Sequence, residues 1–190
     1  MKTLLVAEFR EGTLRPEYTQ LLAFAQSVNA EAAMFLVGSA SELPKFAGTL
    51  YLAEAAACGE YAPAVHKQLL LDAIAREQPD QVIFLHSSYG WDLAPRIAVA
   101  LAAAQVSEVI AVEDGLPVIP ACNAKLRRKV RPTTAQAVLT IQAGAFSLDQ
   151  DTAGTPTVIQ LTTDAASTVR CTGYEAAKAE GVDLTFGSDE

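Results

Sequence analysis

Histidine, tryptophan and methionine are scarce in this chain: two, one and two residues among 190. His66 and His86 stand twenty residues apart and form no cluster with the cysteines. A structural zinc site needs clustered Cys and His ligands, so none is expected. The three cysteines, Cys58, Cys122 and Cys171, are odd in number, widely spaced and without a Cys-x-x-Cys pair. This argues against a disulfide framework and fits a reducing compartment. The first apolar run breaks at Glu8 and Arg10, too early for a signal-peptide core. No run approaches the ~18 apolar residues of a bilayer span, so a cytoplasmic setting is expected.

Positive charge is also in short supply. Fourteen Lys and Arg residues face 22 Asp and Glu residues, for a net charge of -8. That balance opposes binding to duplex nucleic acid, where basic groups must neutralise phosphates. It equally opposes docking on an anionic membrane. Several chemical signatures are missing: no G-x-G-x-x-G, no G-x-x-x-x-G-K-[ST] and no G-x-S-x-G.

Apolar residues make up 51% of the chain and charged residues 19%, enough for a sizeable core. In the first hundred residues strand and helix patterns alternate. Leu4 to Ala7, Ala33 to Val37, Thr49 to Leu52 and Val82 to Leu85 read as buried strands. Pro16 to Val28, the stretch from Pro63 to Pro79, and Asp92 to Ala104 read as helices with apolar stripes. On the second of these, His66 is expected on the outer face. Such alternation implies βαβ units: a mostly parallel sheet with helices on both faces. The second half is strand-rich. Val109 to Val112, Leu116 to Ile119, Leu126 to Val130, Val138 to Ile141 and Val158 to Leu161 are expected as hairpins and edge strands, antiparallel additions to that sheet. One more strand is expected at Val169 to Thr172. Residues 1–175 are expected to form one α/β domain, with 176–190 a linker or tail.

Two segments could carry chemistry. His86-Ser87-Ser88-Tyr89-Gly90-Trp91-Asp92 follows a strand and opens a helix. Ligands of open parallel sheets bind at strand carboxyl ends, and a helix N-terminus offers free N–H groups to an anion. Ser87, Ser88, Gly90 and Asp92 are therefore candidates for a phosphate loop, with AMP or ATP the corresponding ligands. The alternative is helix capping by a serine or by Asp92. Trp91 is either an interface anchor or a cover for the end of the sheet. The second segment runs from Lys125 to Arg131. As a strand it places Lys125, Arg127, Lys129 and Arg131 on one face, with Leu126, Arg128 and Val130 on the other. Edge strands carry such charges to resist aggregation; docking of a protein partner is the functional alternative. No aromatic residue interleaves the stripe for base stacking, which again opposes nucleic acid. Neither His86 nor the exposed-looking Cys122 has a partner base, so no catalytic residue is expected.

The stretch Gly90-Trp91-Asp92-Leu93-Ala94-Pro95-Arg96-Ile97-Ala98 resembles the G-[RK]-[DN]-L-x-P-R-[VI]-A segment of electron transfer flavoprotein α subunits. Gln105 to Val112 resembles that family's A-Q-I-S-D-V-I-A-I, Ala121 to Ala124 its A-G-N-A, and Leu139 to Phe146 its T-[VI]-R-x-[GT]-x-F. Order and spacing agree over about residues 1 to 175. Trp91 stands where a basic residue is usual, Cys122 where a glycine is usual, and Gln142 where an arginine is usual. The resemblance implies a Rossmann-like fold of the adenine nucleotide α-hydrolase kind, acting as the N-terminal domain that packs against a β-type subunit. It implies FAD in the assembled heterodimer, held mainly by a C-terminal domain whose motifs are not found in these residues, and electron transfer from dehydrogenases to an acceptor. A stand-alone nucleotide module using Ser87 to Asp92 is the alternative.

Overall fold

A computed structural model describes residues 1–148, 152–169 and 171–175. In chain order the elements are β1 (Lys2–Val6), β2 (Phe9–Arg10), β3 (Thr13–Leu14), α1 (Tyr18–Ser27), β4 (Glu31–Gly38), β5 (Thr49–Glu54), α2 (Ala55–Cys58), α3 (Pro63–Glu77), β6 (Gln81–Leu85) and α4 (Ser88–Leu101). Then follow β7 (Ala104–Val109), β8 (Ala111–Glu113), β9 (Leu116–Ala121), β10 (Leu126–Lys129), β11 (Ala137–Ile141) and β12 (Thr157–Gln160).

Seven strands form an all-parallel sheet in the order β12-β5-β4-β1-β6-β11-β7. Side-chain alternation sorts the strands into two cores. Leu4, Val6, Phe35, Val82 and Phe84 pack with Leu69, Leu70 and Ala73 of α3 and with Leu93 and Ile97 of α4. Leu5, Met34, Leu36, Ile83 and Leu139 face the other way, against Leu21 and Phe24 of α1 and against Phe46 and Phe146. Central strands are therefore mostly apolar on both faces, as burial between two layers demands, with Thr3 and Thr140 the buried polar exceptions. Pro63 starts α3 where a missing N–H is harmless. Gln78 ends it in the left-handed region, and Pro79 blocks continuation.

The second half departs from expectation in four ways. Val138 to Ile141 is no edge or hairpin strand: β11 inserts between β6 and β7, parallel to both, and all five of its residues are buried. β12 pairs in parallel with β5 at the far edge, where a hairpin was expected. The antiparallel strands β8, β9 and β10 form a separate three-stranded sheet, an arm inserted between β7 and β11. Val169, Cys171 and Thr172 are not in a strand. Helix α4 also starts four residues earlier than expected, at Ser88. The expected tail, 176–190, lies outside the described residues. No helix among the described residues is long and apolar enough to cross a membrane.

Candidate functional site

The chain runs from β1 to one side of the sheet and returns at β6 on the other side. The switch point, where such folds open a ligand crevice, thus lies beyond the carboxyl ends of β1 and β6. Glu8 follows β1 there, and His86 and Ser87 follow β6.

Ser87 is the N-cap of α4. Its hydroxyl oxygen accepts from the Gly90 N–H at 3.0 Å, and its hydroxyl proton goes to the Glu8 carboxylate. Burial pushes the Glu8 carboxyl above the usual carboxylate range, and the bond from Ser87 only partly offsets this. Gly90 is explained by packing: a Cβ there would lie 2.0 Å from the carbonyl oxygen of Leu85. The first turn of α4 is pressed onto the end of β6, and only glycine permits that approach.

Behind this turn, Tyr89 donates its phenol O–H to His66 Nδ1 at 3.0 Å. His66 Nε2 donates in turn to the Gly59 carbonyl at 2.9 Å, which fixes the neutral tautomer. Burial lowers the His66 pKa, in keeping with that neutral form, and raises that of the Tyr89 phenol. His66 is 1% exposed, contrary to its expected place on the outer face of its helix. It turns inward because both ring nitrogens find partners there.

The crevice outside holds a cavity of about 330 Å³. Its polar lining includes Glu8, Glu60 and Arg10, and Tyr174 from the last described segment closes one side. Glu60 accepts from the amides of Glu11 at 2.9 Å and Gly12 at 2.8 Å, and from the Tyr174 phenol. Burial pushes the Glu60 carboxyl up, but these hydrogen bonds together hold it below its usual range. Sharing its proton with Glu60 pushes the Tyr174 phenol up to about 12. The Arg10 guanidinium sits 5.7 Å from the centre of the Tyr174 ring. The crevice is therefore lined by two carboxylates whose bonds are already made. Its residues do not fit a phosphate-bearing ligand: the Ser87 hydroxyl is spent internally, Gly90 is filled by Leu85, and Ser88 lines the same cavity as Glu8 and Glu60.

His86 belongs to a second network. Its Nε2 donates to the Glu108 carboxylate at 3.1 Å, and its Nδ1 accepts from the Thr140 hydroxyl at 2.8 Å. The Thr140 oxygen accepts from the Glu108 N–H at 3.1 Å, which closes the loop. Glu108 sits at φ +59° beside a register shift between β11 and β7, a bulge that aims its carboxylate at His86. The Trp91 ring meets His86 edge-on at 5.0 Å and is 60% exposed. Asp92 binds Arg96 at 2.7 Å, one helical turn on. Ser87, Ser88, Gly90, Trp91 and Asp92 are thus brought together, with no nucleophile–base pair among them. No cluster of three or more metal-ligating side chains occurs among the described residues.

The basic stripe is β10 and its flanks. Arg127 reaches Glu113 at 2.8 Å, and Lys129 reaches Asp114 at 2.6 Å and Glu113 at 3.4 Å, so these two residues share a face. All four β10 residues are exposed. Lys125 and Arg131 flank the strand in solvent. Sequence reasoning missed Glu8, Glu60 and the His66–Tyr89 pair. Glu8 had a usable signal: a charge directly after the first buried strand marks the crevice end of the sheet.

Comparison with known proteins agrees with this architecture. The family model described as Electron transfer flavoprotein domain matches residues 3–166. The chain is similar to the electron transfer flavoprotein subunit alpha of Bacillus subtilis (strain 168), 29% identical over 119 residues, which cover 58% of this chain and 37% of that protein. The chain therefore matches well under half the length of this relative. The family match shows that the chain belongs to the electron transfer flavoprotein domain family, and its similarity to that subunit supports an N-terminal domain of the α-subunit type.

Proposed function

We propose that this domain is the subunit-interface scaffold of a cytoplasmic electron transfer flavoprotein. It pairs with a β-type subunit, and the assembled heterodimer, carrying FAD, takes electrons from dehydrogenases to an acceptor. The chain's own contribution is to hold a partner surface. The observation that carries this reading is the self-satisfied switch point: Ser87 caps α4 and bonds Glu8, Gly90 is filled by Leu85, and carboxylates line the crevice. A pyrophosphate would meet the Glu60 carboxylate there, and Ser87 has no free donor to offer it. FAD and adenine nucleotides alike are therefore assigned to other parts of the complex, and the nucleotide-module reading of Ser87 to Asp92 is set aside. Trp91 and Val99, 60% and 83% exposed on α4, are the apolar anchors we assign to the partner face.

Coexpression with the β-type subunit tests the proposal. A complex that copurifies supports it. A stable monomer that ignores the β-type subunit overturns it. Separately, the isolated chain is expected to show no thermal stabilisation by AMP, ATP or FAD. Stabilisation of about 3 kcal/mol at a hundredfold excess over Kd would restore the nucleotide module.

A further inference from the structure

The chain separates its charges. Five of its 14 basic residues but only two of its 22 acidic residues fall in the segment 111–131, so a net-positive arm stands on a protein of net charge -8. The arm's outer strand, β10, pairs only with β9, and its other edge has no strand partner among the described residues. Arg127 and Lys129 are engaged by Glu113 and Asp114. Lys125, Arg128 and Arg131 have no ion-pair partner among the described residues and stand in solvent, with Leu126 59% exposed among them.

An open edge of this kind invites strand addition, and its charges decide by what. A second copy of β10 would bring cations against cations, which disfavours self-pairing. A nucleic acid would find no aromatic residue between 111 and 131 on which to stack its bases, and would be repelled by the acidic remainder of the chain. An extended acidic polypeptide meets neither obstacle. Its backbone can pair with the free edge, its carboxylates can meet the unpaired cations, and an apolar side chain can cover Leu126. We propose that β10 is a docking edge for an acidic, extended segment of a partner protein. This inference stands apart from the β-type partner assigned above, because its test reads an acidic peptide on β10 and not assembly with that subunit.

The test uses the purified chain and a fluorescent peptide of about a dozen alternating Glu and Val residues, long enough to span a strand of this length. Fluorescence anisotropy is expected to show saturable binding that weakens steeply between about 50 and 200 mM salt. The triple variant Lys125→Glu, Arg128→Glu and Arg131→Glu is expected to lose at least about tenfold in affinity. The corresponding triple glutamine variant, which adds no repulsion, is expected to fall between. Circular dichroism confirms that both variants keep their fold. Placing prolines at alternate positions of the peptide removes its backbone donors and is expected to weaken binding further. Equal binding of a Ser/Val peptide, or unchanged affinity in both triple variants, overturns the docking edge. Equal binding of the proline peptide overturns strand addition. Tighter binding of a single-stranded oligonucleotide of equal charge overturns the choice of a protein partner.

Discussion

The parallel sheet and the antiparallel arm are separated by one residue, Ile110, yet they are held together by different means. Phe84 and Leu139 in the sheet are wholly buried, and each packs in an apolar layer on its own side of the sheet. In the arm, Leu126 is mostly exposed, and the outer strand is tied down by the Arg127 and Lys129 ion pairs and by the backbone bond from Val130 to Pro117 at 2.9 Å. Burial is cooperative and insensitive to salt, whereas exposed ion pairs contribute little and are screened. The difference suggests a division of labour, with a sheet that supplies stability and an arm that is free to present charge.

The largest test of this division compares Phe84→Ala with Leu126→Ala. The first removes a fully buried ring from the central strand β6 and is expected to destabilise by about 3–5 kcal/mol in urea unfolding. The second is expected to stay within about 0.5 kcal/mol. Comparable losses would mean that the arm is part of the cooperative core. Next in size is Gly90→Ala. Its Cβ would meet the Leu85 carbonyl oxygen at 2.0 Å, a backbone atom that cannot swing away. Helix α4 must then shift off β6, at a cost of about 2–3 kcal/mol. A variant as stable as the parent would show that the packing of α4 onto β6 does not require the glycine.

The same contrast explains what could be read from the sequence. Val82 to Leu85 announces a buried parallel strand because a strand covered on both faces reads as a near-continuous apolar run. The pattern of Val138 to Ile141 is nearly as apolar, broken only by Thr140, and its place between β6 and β7 was missed because periodicity reports burial, not neighbours. The arm's alternation was legible, since Arg127 and Lys129 do share Glu113. The candidate site was less so. Ser87 reads equally as a cap or a phosphate ligand until its hydroxyl is seen bonded to both Gly90 and Glu8. His66 lies at a position where helical spacing alone suggested solvent. Its burial depends on Tyr89 and Gly59, which the sequence separates by 23 and 7 residues.

A smaller effect sits at the tip of the arm. Cys122, Asn123 and Ala124 all have positive φ, at 53°, 54° and 60°. Asparagine tolerates that region, but a Cβ at Cys122 is strained there. Cys122→Gly relieves the strain while adding freedom to the unfolded chain, so a net stabilisation of about 0.5 kcal/mol is expected in thermal unfolding. A loss instead would mean that the Cys122 side chain makes a contact that outweighs the strain.

The smallest stability effect is expected for Glu113→Gln, and it sharpens the comparison most. Glu113 meets Arg127 and Lys129 at the surface, with all three side chains 40% exposed or more. Its loss is expected to move the unfolding midpoint by an amount near the limit of detection, and raising the salt should erase even that. Binding of the acidic peptide should respond in the opposite sense. Without the Glu113 carboxylate, Arg127 is released and Lys129 keeps only Asp114, so the arm presents more uncompensated positive charge. Stability and affinity then part: the variant is as stable as the parent and binds the acidic peptide more tightly. If affinity falls with the substitution, Glu113 holds β10 in shape for its partner. If the midpoint falls sharply at any salt, the ion pairs are structural and the arm belongs with the sheet.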